Sequence, residues 1–221
     1  MISILKFTMC ATIIGLLTGC ATQQKTYDYT AFRQSQPKSI LVLPPLNNSP
    51  DIRATYSFLS TVTYPLAESG YYVFPVALVD QTFKDNGLTQ PADMHQASAK
   101  KLIEIFGADA ALYITVEKYG AVYTVVNSSV VVTAKANLVD LKTGTTIWSG
   151  QASASSEEGQ NNQNSGGLLG ALITGIIKQA LNSSGDKGQA VSAITSQRLL
   201  EAKPAGILYG SRSPKFGKDA P

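Results

Sequence analysis

The chain holds few of the residues from which proteins build metal sites. Its 221 residues include two cysteines and one histidine. A zinc site needs three or four histidine, cysteine or carboxylate ligands, and His95 lies in a polar stretch with no cysteine or paired carboxylate beside it. We therefore expect His95 at the surface, and we predict neither a metal centre nor a bound cofactor.

Charge is also scarce. Charged residues make up 15% of the sequence, and the net charge is only +3. The segment 203–221 contains four basic residues and one acidic residue, Asp219. Little net positive charge is left in the rest of the chain, so we predict no basic face for nucleic acid. Apolar residues make up 44%, a balance that can bury a core and argues against global disorder. We expect one globular domain without a nucleic-acid partner.

The apolar run over residues 7–17 is too short to span a bilayer, which requires about 20 apolar residues. It follows Lys6 and closes with the sequence Leu17-Thr18-Gly19-Cys20, which is similar to the lipobox of bacterial lipoproteins. We predict a signal peptide over 1–19. The resemblance implies that Cys20 becomes the first mature residue and is acylated. An ordinary secretory signal is the alternative.

Acylation of Cys20 would have three consequences. Lipid, rather than a transmembrane helix, would hold the mature protein at a membrane. Cys10 lies in the predicted signal, so the mature domain could form no disulfide and its core and hydrogen bonds must hold it together. Ala21 is not the aspartate that signals inner-membrane retention in enteric-type lipoproteins, so the resemblance implies the outer membrane, in either leaflet.

The mature chain divides into a tether, a domain and a tail. Residues 20–37 are polar, without a helical or strand period, and we interpret them as the lipidated cysteine and a flexible tether. Periodicity predicts an α/β domain over 38–202, and Pro, Gly and Lys residues predict a flexible tail over 203–221. The predicted elements are strands at 38–43, 71–79, 109–118, 122–126 and 130–141, helices at 53–68, 98–106 and 190–200, and a hairpin turn at 140–144.

The C-terminal part of the domain contains one unusual apolar segment. A polar stretch over 155–167 predicts a mobile loop, and C-terminal helices are predicted over 168–201. The segment 168–177 is apolar around nearly its whole circumference, which predicts a helix buried against the sheet or a partner subunit, with a membrane-dipping segment as the alternative. The residues that we assign to a subunit contact are Leu168, Leu169, Leu172, Ile173, Ile176 and Ile177.

Two patterns imitate enzyme motifs. Ser98-Ala-Lys-Lys101 matches the Ser-x-x-Lys of penicillin-binding enzymes, and Lys142-Thr-Gly144 their second motif, but such spacings arise by chance and the Ser-Asp-Asn motif is absent. Gly166-Gly-Leu-Leu-Gly170 lacks the Lys-Ser/Thr ending of a phosphate loop. We predict no catalytic residues and no enzyme activity. An enzyme acting on envelope material is the competing class, and it would need a deep pocket with convergent ionisable groups.

Five stretches carry a resemblance to a known family. The sequences at 38–53, 63–67, 70–75, 106–112 and 208–210 resemble an uncharacterised family of Gram-negative outer-membrane lipoproteins that includes neisserial surface antigens. The resemblance implies a mixed sheet with packed helices, similar to the N-terminal domain of TolB, and a C-terminal helical extension. It also implies homodimers or other homo-oligomers, with a curli-secretion-like lipoprotein as a partner.

A second resemblance is weaker. Lipoprotein activators of peptidoglycan synthases share the lipid anchor, the tether and the hairpin with a following tryptophan seen at Asp140 to Trp148. A tether of 16 residues stretches to only about 55 Å, too short for a synthase in the inner membrane. The sequence therefore favours a non-catalytic outer-membrane lipoprotein that acts by protein–protein contacts in an envelope or secretion-related complex.

Overall fold

A mixed β-sheet with helices on both faces forms the centre of the molecule. The computed structural model describes residues 27–123, 128–158 and 186–219. Its strands are β1 (Ser39–Val42), β2 (Leu46–Asn47), β3 (Tyr72–Val73), β4 (Ala110–Tyr123), β5 (Ser128–Asp140) and β6 (Thr146–Ser155). Its helices are α1 (Thr30–Ser35), α2 (Ala54–Glu68), α3 (Val76–Asp85), α4 (Pro91–Met94), α5 (Ala99–Phe106) and α6 (Lys187–Glu201). The predicted α/β class is confirmed.

The sheet combines a parallel half with an antiparallel half. Its strand order is β3-β1-β4-β5-β6, with β1 parallel to both β3 and β4, and with β4, β5 and β6 joined as antiparallel neighbours. Pro44 and Pro45 end β1 because proline has no backbone N–H to donate. The chain rejoins the sheet as β2, which pairs with β4 at Thr115 and Val116. Strands β4 and β5 thus form the longest ladder.

The larger core lies on one face of the sheet, beneath α2 and α6. Alternate residues of β4 and β5 point into it, among them Leu112, Ile114 and Leu138, and all three are fully buried. Thr61 of α2 and Ser196 of α6 meet where the two helices pack, and the Ser196 hydroxyl lies 3.2 Å from the Thr61 carbonyl oxygen. Small side chains at this contact allow the two helices to approach each other closely.

The opposite face of the sheet is only partly covered. Helices α3 and α5 pack a second core around Leu41, Phe83 and Leu102, over β1 and the beginning of β4. Farther along the sheet this face carries half-buried and exposed polar side chains, including Thr115, Asn137 and Gln151. Such a half-covered sheet is typical of antiparallel strands with one solvated side.

The sequence predicted elements correctly where it contains recognisable helix-cap and turn residues. The Ser98 hydroxyl accepts a hydrogen bond from the Lys101 N–H and caps α5, and Gly107 ends the helix with φ of 66°. Gly144 adopts φ of 72° in the turn between β5 and β6. These positive angles favour glycine. The predicted helix at 98–106 and the predicted hairpin at 140–144 are confirmed.

Two element predictions were wrong. The strand predicted over 71–79 is only two residues long, because Pro75 precedes a new helix, α3, and proline suits the start of a helix. In the helix predicted over 53–68, spacings of three and four residues predict one packed face formed by Tyr56, Leu59, Val62, Thr63 and Leu66. Leu59, Val62 and Leu66 are buried, but Tyr56 is exposed, and Phe58, which this spacing omits, is fully buried.

No helix among residues 27–123, 128–158 and 186–219 is both long enough and apolar enough to cross a bilayer. Helix α6 confirms the predicted helix at 190–200 and extends it toward the N-terminus. The predicted signal peptide, Cys20, most of the predicted mobile loop and the apolar segment 168–177 lie outside the described residues.

Candidate functional site

The N-terminal segment is folded, which corrects the predicted tether. Residues 30–35 form α1, and Tyr29 and Phe32 are only 6% and 3% exposed. The Asp28 carboxylate accepts a hydrogen bond from the Thr30 N–H, and hydrogen bonds to Thr30 lower the pKa of Asp28. Helix α1 ends at Gln36, which adopts φ of 45°, and Pro37 follows. Residues 27–37 of the predicted tether therefore belong to the folded domain.

Aromatic side chains fasten this segment to distant parts of the domain. The Tyr27 hydroxyl accepts a hydrogen bond of 2.6 Å from the Ser149 N–H on the outer strand β6. The Tyr29 hydroxyl donates to the Pro204 carbonyl oxygen at 2.9 Å and also lies against the Gly206 carbonyl. Burial raises the pKa of Tyr29 to about 12, so the hydroxyl stays protonated and able to donate.

Asp140 connects α1 to the turn between β5 and β6. Its carboxylate accepts hydrogen bonds from the Ser35 hydroxyl and from the N–H groups of Lys142 and Thr143. Burial would raise the pKa of Asp140, but these hydrogen bonds outweigh it and hold the pKa below its ordinary value. The ionised carboxylate is therefore the form that stabilises the folded state.

We expect Asp140→Asn to destabilise the domain by about 1.5 to 3 kcal/mol at neutral pH, the range for a hydrogen bond to a charged group. A carboxyl with a lowered folded pKa contributes fully above its unfolded pKa of about 3.9, and this contribution is lost as pH falls through the folded value. Urea unfolding at pH 7 and near pH 3 should show the difference between variant and wild type shrinking in acid. A pH-independent difference would contradict this, and Asp93→Asn at an exposed position of α4 is the control.

The C-terminal segment is also folded, contrary to the predicted flexible tail. Ile207 and Leu208 are buried in the larger core. The Trp148 indole N–H donates to the Ala205 carbonyl oxygen at 2.8 Å, and the Tyr71 hydroxyl donates to the Leu208 carbonyl oxygen at 2.7 Å. These hydrogen bonds satisfy backbone groups of an irregular segment that would otherwise be buried without partners.

Backbone contacts hold the end of this segment. The Gly210 N–H donates to the Ser69 carbonyl oxygen at 2.7 Å, and a side chain at Gly210 would collide with the Gly70 backbone. The Asp219 carboxylate accepts from the Tyr209 N–H at 3.1 Å and from Lys203 Nζ at 2.8 Å. Residues 203–219 are thus closed into a loop on the domain surface.

A cavity of about 340 Å³ lies between α1 and this loop. Phe32, Tyr71 and Leu208 supply apolar lining, while Arg33 and Lys38 lie at its margin. This volume is at the small end of the range for small-molecule sites, roughly 300 to 1,000 Å³. Among the described residues that line the cavity there is neither histidine nor cysteine, so these residues offer no nucleophile–base pair of the usual type.

His95 lies elsewhere, and it is less exposed than we predicted. Its Nε2 is 2.9 Å from the Pro44 carbonyl oxygen, and its ring meets the Tyr113 ring edge-on with 5.3 Å between centroids. Burial lowers the pKa of His95, which favours a neutral imidazole that donates from Nε2. Among the described residues, no three histidine, cysteine or carboxylate side chains are grouped to hold a metal. His95 therefore has a packing role here.

The predicted lipidation site, Cys20, and the predicted contact residues in 168–177 are outside the described residues. Both flanks of the latter segment are bound to the domain. On one side Glu158 forms a salt bridge with Arg198 of α6. On the other side Asp186 caps α6 through the Gly188 N–H and pairs with Arg53. The nearest described residues on either side of the segment, Glu158 and Asp186, thus both contact α6.

Comparisons with known proteins identify relatives over most of the chain. The family model described as "Putative lipoprotein GNA1162-like" matches residues 27–212, a range that includes α1 and most of the C-terminal loop. A curated protein of Neisseria meningitidis serogroup B, also named as a lipoprotein, is 49% identical over 216 residues, which cover 95% of this chain and 98% of that protein.

Solved structures extend the comparison. The crystal structure of lipoprotein GNA1162 from Neisseria meningitidis superposes with a TM-score of 0.53 and 52% identity, over 66% of this chain and 100% of that chain. The LpoB C-terminal domain from Salmonella enterica is more distant, with 19% identity and a TM-score of 0.39 over 58% of this chain and 98% of that chain. A likeness at that level carries no information about function.

Proposed function

Because the chain belongs to the GNA1162-like lipoprotein family, we propose that it is a non-catalytic lipoprotein, acylated at Cys20, whose α/β domain works by protein contacts at the outer membrane. Lipoprotein names among its relatives support a membrane anchor. The proposal has three further parts. Ala21 supports the outer membrane, the apolar segment 168–177 supports a homo-oligomer, and the family resemblance supports a curli-secretion-like lipoprotein as partner.

The observation that carries the proposal is the closeness of the folded domain to the predicted anchor. Tyr27 is hydrogen-bonded to β6, and only seven residue steps separate it from Cys20. Fully extended, seven steps reach about 25 Å. A protein acylated at Cys20 would thus keep its folded surface beside the bilayer, where it could meet only partners that also lie at or near that membrane.

The short distance between Cys20 and Tyr27 also argues against a role as an activator of peptidoglycan synthesis. Such an activator must reach a synthase in the inner membrane from an anchor in the outer membrane. The folding of residues 27–37 shortens the already insufficient tether, because Tyr29 and Phe32 are buried. A role beside the anchoring membrane fits this geometry better.

We propose further that residues 168–177 form the subunit contact. Leu172→Asp or Ile176→Asp should dissociate the oligomer without unfolding the domain, because a charge placed in an apolar contact is desolvated without a partner. Light scattering of the unlipidated mature protein, with serine at Cys20, measures the mass directly. Circular dichroism on the same samples establishes that the fold is retained.

The control is Leu78→Asp, which places the same charge on an exposed apolar residue of α3. We expect this variant to keep the mass of the wild type. A wild type that is monomeric at micromolar concentration, or an oligomer that survives both aspartate substitutions, would remove the contact assignment while leaving the anchor proposal intact.

A further inference from the structure

An exposed cluster of basic residues surrounds one exposed aromatic side chain beside the N-terminal helix. Residues 215–218 form a turn in which the Lys218 N–H donates to the Lys215 carbonyl oxygen. Phe216, at the tip of this turn, is 48% exposed. Phe216 also lines the cavity beside α1, together with Arg33 and Lys38. We call Arg33, Lys38, Lys215, Phe216 and Lys218 the basic patch.

The cations of the basic patch remain available to a ligand. Arg33, Lys38, Lys215 and Lys218 are exposed, and none of them forms a salt bridge with the residues that the structure describes. Lys215 has one other contact, since its Nζ lies 5.4 Å from the centroid of the Tyr209 ring. The nearby Asp219 is already bound to Lys203. Lys215 also lines a second, polar groove together with Glu68 and Glu201, whose negative charges offset its own. Arg33, Lys38 and Lys218 therefore carry most of the excess positive charge of the basic patch.

The patch lies on the part of the surface where the chain enters the domain. Helix α1 is preceded by Tyr29, which contacts Gly206, and it is followed by Gln36 and Lys38, which line the cavity. These two ends lie close together, because a helix of six residues is only about 9 Å long. Cys20 lies within about 25 Å of Tyr27 at full extension. A bilayer that holds lipid on Cys20 is therefore within reach of the basic patch.

We propose that the basic patch binds the acidic phospholipid headgroups of the leaflet in which the Cys20 lipid is embedded, an inference that rests on the proposed lipid anchor. Basic side chains near a bilayer are attracted by anionic headgroups within roughly a Debye length, about 8 Å at physiological salt. Aromatic side chains are favoured at the headgroup level. Phe216 enters the interface while the surrounding cations pair with phosphate groups. This contact fixes the orientation of the domain relative to the bilayer.

The test uses the mature chain with Cys20→Ser, so that no attached lipid can account for binding. Sedimentation with vesicles of phosphatidylglycerol and phosphatidylcholine, and with vesicles of phosphatidylcholine alone, measures the partition of the protein. We expect binding only to the acidic vesicles, with a marked loss when the salt is raised from 0.05 to 0.5 M. In the acidic vesicles, Arg33→Gln with Lys218→Gln should lower the partition coefficient about tenfold or more.

The matched control is Lys100→Gln with Lys101→Gln, which removes two charges from exposed positions of α5 on the opposite face of the sheet. It should bind acidic vesicles as the parent does. Phe216→Ser tests the aromatic part and should weaken binding even at low salt. Thermal melting of each variant checks that the fold is unchanged.

Three results would overturn the proposal. These are equal binding to both kinds of vesicle, no binding to either, and equal losses in the patch variant and the α5 control. If the proposed lipid anchor is wrong, the result is different: Cys20 carries no lipid in cells. The vesicle experiment can still be interpreted, because it uses a chain without lipid. Binding of the unlipidated chain to acidic vesicles would then identify the patch as an independent membrane site.

Discussion

In fractionation at 0.5 M salt, which also suppresses binding by the basic patch, Cys20→Ser should move the protein from the membrane fraction to the soluble fraction of the cell envelope, and it should abolish incorporation of radiolabelled palmitate. Each acyl methylene in the bilayer contributes roughly 0.8 kcal/mol, and two or more chains give stable anchoring. Fractionation and labelling of the two proteins expressed at equal levels measure the change.

Cys10→Ser is the matched control, because the other cysteine of the chain lies within the predicted signal peptide and is removed with it. It should leave both labelling and fractionation unchanged. If the Cys20→Ser protein is labelled, exported and retained by membranes as the wild type is, the anchor assignment is wrong. The function proposed from it then fails as well.

Trp148→Ala should have the largest effect on the stability of the domain, about 3 to 5 kcal/mol. The indole is 1% exposed and lies across Gly150, where even a methyl group would collide with it. Its N–H is hydrogen-bonded to Ala205, so the substitution opens a cavity and also frees the C-terminal loop. Urea unfolding followed by far-UV circular dichroism measures the loss, since the variant has no tryptophan fluorescence to follow.

Two further variants separate packing from hydrogen bonding. Trp148→Phe keeps an aromatic ring but leaves the Ala205 carbonyl oxygen without its donor, and it should cost about 1 to 3 kcal/mol. Tyr123→Ala removes an aromatic ring that is 81% exposed and should change stability by no more than about 0.5 kcal/mol. A small effect of Trp148→Ala would mean that the loop over 203–219 is held independently of the sheet.

Local chemistry explains which elements the sequence predicted correctly. The α5 cap at Ser98, the end of that helix at Gly107 and the turn at Gly144 depend on hydrogen bonds and backbone angles within four or five residues. The strand predicted over 109–118 is part of β4, one face of which packs into the larger core. These features need no knowledge of distant residues.

The errors lie where the deciding partner is far away in the chain. The sequence neighbours of Tyr29 and Phe32 are mostly polar, so this segment has the composition of a tether. In the structure, however, the Tyr29 hydroxyl donates a hydrogen bond to the carbonyl oxygen of Pro204, which is 175 residues later in the chain. The loop over 203–219 likewise gains its order from Trp148, Tyr71 and Ser69 rather than from its own period. Each of these segments becomes ordered only when it is packed against the other parts of the domain.

The sequence by itself determined the α/β class, the predicted lipidation at Cys20 and the absence of an enzyme motif, because periodicity, lipobox and motif spacing are local patterns. Only the tertiary structure decided that residues 27–37 belong to the folded domain and that Arg33, Lys38 and Lys218 share one surface with Phe216. The physical reason is burial: Tyr29 and Phe32 leave water only when the C-terminal loop and β6 complete their surroundings.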